Sequence, residues 1–241
     1  MIRFTDVHKA FGAKRVLEGL TLDVRDRETL ALIGYSGTGK SVTLKHVVGL
    51  IEPDAGEVLV DGVAVSALDR AGLTALRREI GYVFQFAALF DSLSVADNVA
   101  LGLRRRDLSD DEIEERVHEA LALVDLTGSD AAFPAELSGG MRKRVGIARA
   151  IALKPRYILY DEPTTGLDPV TSAVIDQLMV RTREHTGATA IVVTHDMRSA
   201  YTVGDRIAML YEGRIRQVGT VEQIQQTDDA VVRQFIEGRP G

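Results

Sequence analysis

Apolar residues are laid along this chain in two alternating periods. Thr29-Leu30-Ala31-Leu32-Ile33, Ile80-Gly81-Tyr82-Val83-Phe84, Tyr157-Ile158-Leu159-Tyr160 and Ala188-Thr189-Ala190-Ile191-Val192-Val193 are short, nearly unbroken apolar runs, the pattern of strands buried on both faces. Between them the period lengthens, and Val42 to Leu50, Gly140 to Leu153 and Val170 to His185 read as helices, the last opened by Asp168 as cap and Pro169 at the first helical position. Strands that alternate with helices predict an α/β chain with a mainly parallel sheet. The N-terminal part differs. Ile2-Arg3-Phe4 with Val7, Arg15-Val16-Leu17, Leu20 to Val24 and Glu57-Val58-Leu59-Val60 are brief strand-like runs, and Asp61-Gly62 is a hairpin turn, so an antiparallel layer is expected there. Arg206 to Tyr211 and Arg214 to Val218, joined by Glu212-Gly213, predict a terminal hairpin, followed by short helices over Val221 to Gln225 and Ala230 to Glu237.

After Gln85 the strand period gives way to a helical one for some fifty residues. Ser94 can cap Val95 to Leu103, and Ser109 followed by Asp110, Asp111 and Glu112 is a second helix start, with its carboxylates on the positive end of the helix dipole. Ile113, Val117, Ala120, Leu121 and Val124 then make a core-facing stripe. Residues 87–136 are therefore expected to form a helical subdomain, inserted into a nucleotide core made of residues 1–86 and 137–241.

The chemistry gathers at the strand ends. Gly34-Tyr35-Ser36-Gly37-Thr38-Gly39-Lys40-Ser41 matches the phosphate-binding pattern G-x-x-x-x-G-K-[ST] between a strand and a helix. Its glycines turn backbone N–H groups inward at a helix N-terminus, Lys40 adds a full charge for the β- and γ-phosphates, and Ser41 offers a hydroxyl to Mg2+. Asp161, ending an apolar strand, fits a place in the Mg2+ shell, and Glu162 fits a general base that polarises an attacking water. His195 fits a sensor and clamp at the γ-phosphate, and Gln85 the Mg2+ and water environment. All sit at the carboxyl ends of predicted parallel strands, where such sheets bind ligands. Phe11, read as part of the turn Lys9-Ala10-Phe11-Gly12, offers a ring on which adenine can stack.

Composition narrows the field. The 241 residues contain no cysteine, which excludes disulfides and thiolate metal sites and favours an intracellular chain. No apolar run approaches the roughly 20 residues that span a bilayer, and the N-terminus lacks the order of a signal peptide, so a soluble polypeptide is expected. A net charge of −6 argues against generic nucleic-acid binding. Arg104-Arg105-Arg106, a dense basic run, reads as a solvated helix end.

A second anion-binding helix start follows the insert. Leu137-Ser138-Gly139-Gly140-Met141 precedes a helix beginning Arg142-Lys143-Arg144, and one phosphate loop does not need two. The second is expected to grip the γ-phosphate of a nucleotide bound to another copy, which implies a two-fold, head-to-tail homodimer with ATP between subunits.

Taken in order, the phosphate loop, Gln85, Leu137 to Met141, Asp161-Glu162, Gly166-Leu167-Asp168 and His195 resemble the nucleotide-binding subunit of an ATP-binding-cassette (ABC) transporter over nearly the whole chain. The resemblance implies the ABC-type fold, an ATPase using ATP and Mg2+, and nucleotide-binding roles for Phe11, Gly34, Tyr35, Ser36, Gly37, Thr38, Gly39, Lys40, Ser41, Thr43, Ser138, Gly139, Gly140 and Asp168. It also implies catalytic roles for Glu162, His195 and Gln85, and Mg2+ ligation by Ser41, Gln85 and Asp161. Asp168 would lie in the loop coupling the two sites. Met141 stands where many members have glutamine, and Tyr35 where proline is frequent. Phe84 to Asp91, Leu137 to Ile151 and Val232 to Gly238 are similar to the ATPases of Mla and Mce lipid transporters, some of which carry a longer tail than the one that follows Gly238 here. That likeness implies phospholipid as cargo, a separate integral-membrane permease, an accessory regulatory subunit, a lipid-binding protein, and a peripheral position on the cytoplasmic face of the inner membrane. An ABC ATPase for another substrate, or one acting on nucleic acid, is the alternative; the latter usually carries coiled coils, zinc cysteines or paired cassettes. The only asparagine, Asn98, is not followed by Lys-x-Asp, so a guanine-reading motif is missing.

Overall fold

The computed structural model describes residues 1–239, which fall into two compact units. The first comprises Met1–Arg77 and the segment from Thr189 onward. Its antiparallel layer is a hairpin of β1 (Ile2–Phe11) and β2 (Lys14–Val24), with β4 (Ala55–Val60) on the other side of β1 and the two-residue β5 (Val63–Ala64) at its edge. The two runs expected before and after Glu18-Gly19 form one strand. Gly19, at φ 96, absorbs an irregularity that a residue with a side chain would resist, and the pairing with β1 shifts register nearby.

In the same unit β3 (Thr29–Ile33) lies between two parallel neighbours, β8 (Thr189–Thr194) and β9 (Arg206–Tyr211), and β10 (Arg214–Thr220) closes the edge antiparallel to β9. Every residue of β3 and β8 is buried, which is why both read as continuous apolar runs. The helices here are α1 (Lys40–Val47), α2 (Arg70–Arg78), α7 (Met197–Val203), α8 (Val221–Gln225) and α9 (Ala230–Ile236). Ala31, Ile33, Ala200, Ile207, Met209, Ile224 and Val232 form a core cluster that carries α7, α8 and α9 on the sheet.

The second unit, Arg78–Ala188, holds a parallel pair, β6 (Ile80–Val83) and β7 (Tyr157–Asp161). Its helices are α3 (Val95–Ala100), α4 (Asp110–Leu123), α5 (Gly139–Ile151) and α6 (Pro169–Thr186). The expected caps are in place: the Ser94 and Ser109 hydroxyls accept the Asp97 and Glu112 amides, and Asp168 accepts those of Val170 and Thr171. The arginine run forms part of a 3-10 turn, Leu103–Arg105, rather than an α-helix end, and it is not merely solvated. Arg104 pairs with Asp97 at 2.5 Å and Arg106 donates to the Arg78 carbonyl at 2.5 Å.

Candidate functional site

In the first unit the loop Gly34–Ser41 leaves β3 and runs into α1. Its root admits only glycine, because a Cβ on Gly34 would stand 2.4 Å from the Leu210 carbonyl oxygen. At its far end Gly39 turns the chain into α1 at φ 106, a conformation that side chains resist. Lys40 is 4% exposed and donates to the carbonyls of Gly34 at 2.8 Å and Tyr35 at 2.9 Å. Its ammonium is thus folded over its own loop, beside the first amides of α1, where an anion would find both. Ser36 and Gly37 form the exposed tip, Ser41 is half-buried, and the Thr38 hydroxyl donates to the Tyr35 carbonyl at 2.9 Å. Thr43 is fully buried with its hydroxyl on the Gly39 carbonyl at 3.1 Å, so in this conformation it braces the loop.

Two further predicted residues belong to this unit. Ile33 is paired with Thr194, so Gly34 and the exposed His195 leave neighbouring parallel strands at the same end. Phe11 is 48% exposed and is the last residue of β1, one place before the turn in which it was expected. The Lys9 ammonium lies 5.7 Å from its ring centroid.

The second unit gathers the acidic residues. Val83 is paired with Tyr160, so the segment carrying Gln85 and the pair Asp161-Glu162 also leave neighbouring strands at one end. Asp161 is 8% exposed, and its carboxylate accepts a hydrogen bond from the Tyr82 hydroxyl at 3.0 Å. Burial, reinforced by that carboxylate, pushes the Tyr82 hydroxyl well above the usual phenol range and keeps it a donor. Glu162 holds a left-handed backbone at φ 48, an uncommon state for a residue with a side chain, and accepts the Thr165 hydroxyl at 2.8 Å.

Ser138 caps α5, accepting the Met141 amide at 3.2 Å, and the helix begins one residue earlier than expected, at Gly139. Gly140 is buried, and a Cβ there would meet Thr171 Cγ2 at 2.6 Å, so the first turns of α5 and α6 touch behind Asp168. The Thr171 hydroxyl donates to Asp168 at 2.5 Å.

Sequence reasoning missed the residues that hold the Gln85 segment. Lys143, 7% exposed on α5, donates to the Gln85 carbonyl; burial lowers its ammonium from the usual lysine range, and the charge of Glu162 opposes that shift. Two turns along α5, Arg149 donates to the carbonyls of Ala87 at 2.6 Å and Ala88 at 2.7 Å, residues at φ 59 and φ 48. Arg149 had a signal, a lone charge within Ile147 to Ile151; Lys143, between two arginines, had none. The hydroxyl of Ser41, the amide of Gln85 and the carboxylate of Asp161 are hard oxygen donors of the kind Mg2+ takes, so the predicted ligands suit that ion chemically.

Residues 17–165 match the ABC transporter family model. The chain is 43% identical over 232 residues to the probable ribonucleotide transport ATP-binding protein mkl of Mycobacterium leprae, covering 96% of this chain and 67% of that protein. It is 40% identical over 257 residues to the protein trigalactosyldiacylglycerol 3, chloroplastic, of Arabidopsis thaliana, covering 99% of this chain and 74% of that one. Among solved structures, the dimeric post-hydrolysis state of the ATP-binding cassette MJ0796 with ADP and Pi superposes with a TM-score of 0.83 at 36% identity, covering 92% of this chain and 99% of the other.

Proposed function

The chain belongs to the ABC transporter family as an ATP-binding subunit that hydrolyses ATP, and from that premise we propose that it powers lipid transport through a separate membrane permease. The observation that carries the lipid reading is the 40% identity, over 99% of this chain, to a relative whose name is that of a galactolipid. The name of the mkl relative instead specifies ribonucleotide, and that cargo is the second reading.

The working unit is a homodimer, a reading supported by the dimeric cassette with ADP and Pi and by a second anion-binding helix start at Ser138. Gly34 to Ser41 cradle the phosphates, Phe11 stacks on adenine, and Ser138, Gly139 and Gly140 complete the site of the partner copy. Asp168 couples the two sites. Ser41, Gln85 and Asp161 hold Mg2+, whose charge offsets that of the phosphates. Glu162 accepts a proton from the attacking water, Lys143 sets a positive charge near it, and His195 orients the γ-phosphate. Residues 87–136 act as the helical subdomain that meets the permease. Among the described residues no helix is long and apolar enough to cross a membrane; in this reading the chain sits peripherally, under its permease, on the cytoplasmic face.

The test is reconstitution of the chain with the permease that copurifies with it, in liposomes carrying a fluorescent phospholipid. ATP-dependent movement of the lipid, lost in Glu162→Gln, is expected. ATP-dependent uptake of a labelled ribonucleotide with no lipid movement would replace this reading by the second.

A further inference from the structure

Tyr35, second in the phosphate loop, meets the C-terminal helix of its own unit. Its ring centroid lies 4.9 Å from that of Phe235 with the planes at 84°, and 6.5 Å from that of Tyr211 at 62°, both edge-to-face. All three rings are partly buried against the core cluster that includes Ile33, Met209 and Val232. The loop's root is fixed at Gly34 and its tip is open, with nothing within 4 Å of where a Gly37 Cβ would stand. Tyr35 is therefore the place where the first half of the loop leans on another element.

That element is itself tied down. Asp229 caps α9 through the amides of Val231 at 3.0 Å and Val232 at 3.2 Å, and accepts Arg216 Nε at 2.8 Å. Arg233 returns to the Thr227 carbonyl at 2.8 Å. A groove lined by Tyr35, Gly37 and Thr38 of the loop and by Tyr211, Arg216 and Asp229 of its support leaves open space beside the loop. An unsupported loop would have room to relax into it.

We propose that Phe235 is a positioning residue for ATP binding, holding Tyr35 so that the amides of the loop's first half stay aimed at the phosphates. The proposal rests on Gly34 to Ser41 being the phosphate cradle. Because the ring contact is made whether or not the reaction advances, it acts on substrate and transition state alike, and its loss raises KM while kcat holds.

The experiment measures ATP binding by calorimetry and steady-state hydrolysis on the full chain carrying Phe235→Ala, Tyr35→Ala, both, or Phe235→Tyr. Each alanine variant is expected to bind ATP about 3- to 10-fold more weakly, the worth of one aromatic pair, with kcat within about twofold. The double variant is expected to be no weaker than the weaker single one, since both remove the same contact, and Phe235→Tyr is expected to bind like the parent. Hydrogen exchange of the Ser36 to Gly39 amides is expected to quicken in Phe235→Ala while β3 is unchanged. Parental affinity in Phe235→Ala, losses that multiply in the double variant, or a fall in kcat at constant KM would each overturn the proposal. Should Phe235→Ala not fold, Phe235→Leu keeps the apolar anchor without the ring, and parental ATP affinity in that variant overturns it equally. Lys40→Ala separates the two readings. If Lys40→Ala binds ATP normally, the cradle and this role fall together; if only Lys40 matters, the role of Phe235 falls alone.

Discussion

The Tyr82 hydroxyl donates to Asp161 Oδ2 at 3.0 Å from the neighbouring strand of a parallel pair, and the Tyr82 ring lies 4.4 Å from that of Phe84. A nearly buried carboxylate is thereby given one orientation before any cation arrives. Tyr82→Phe keeps the ring and removes the donor. If Asp161 holds Mg2+ as proposed, this variant is expected to raise the Mg2+ concentration for half-maximal hydrolysis about tenfold, the usual effect of losing a partner one step behind a metal ligand. Mn2+ binding in the presence of ATP, followed by paramagnetic resonance, checks this without turnover. Parental Mn2+ affinity would show that Asp161 is oriented by other means.

Arg149 makes a second prediction. Two consecutive left-handed alanines are an expensive stretch of backbone, of order 1–3 kcal/mol each, and here the guanidinium spans both of their carbonyls. Arg149→Gln is expected to free the Gln85–Ala88 segment and expose Phe86, already 81% exposed, to chymotrypsin. Nicking there should be faster by about tenfold or more, an opening cost of at least 1.4 kcal/mol having been removed. An unchanged digestion pattern would mean that Lys143 suffices.

Ser138 is exposed at the head of α5, and Lys40 is buried in the other unit. If each site takes Ser138 from the partner copy, a mixture of Lys40→Ala and Ser138→Ala chains should form mixed dimers with one damaged-twice and one intact site. At equal mixing about half of the dimers are mixed and each keeps one of two sites, so hydrolysis should recover to about a quarter of the parental rate. Measuring the rate against mixing ratio checks it, and a mixture no faster than the separate variants, or one that recovers the full rate, would contradict the sharing.

His46 supplies a pH dependence. Its Nδ1 donates to the Val42 carbonyl at 2.7 Å and its Nε2 is buried with no partner; burial lowers the imidazole from its ordinary value of 6.5, Lys9 adds to that shift and Asp54 opposes it. The folded chain thus prefers neutral His46, and the unfolded chain binds the extra proton first as pH falls. This contribution to stability is whole above pH 6.5 and is lost below it, down to the folded value, with a slope of at most about 1.4 kcal/mol per pH unit. Melting temperatures from about pH 7.5 to 5 should fall more steeply for the parent than for His46→Leu. Parallel curves would exclude His46 as the cause.

How much of this could be read from the sequence depends on where each residue's partner lies. β3 was legible to the residue, because all five side chains are buried and the phosphate loop marks its end. The start of α6 was legible because Asp168 and Pro169 signal locally. By contrast α2 gave no expectation: no residue of it is fully buried, and its inward face amounts to the half-buried Gly72, Leu73 and Leu76, too few apolar positions to stand out along the chain. Arg149 carried a signal as a lone charge in an apolar stretch, but its role, like those of Lys143 and Tyr82, is defined by an oxygen on a different segment. A carbonyl has no residue type to notice. The edge contact of Tyr35 with Phe235, separated by 200 positions, belongs to the same class.

The close approach of Gly140 and Thr171 ties two motifs together in space. A methyl group gained at 140 could be accommodated only if 171 gave one up, for example as serine. Two stretches read as separate words are therefore constrained as one: Gly140→Ala alone forces a clash that Gly140→Ala with Thr171→Ser relieves.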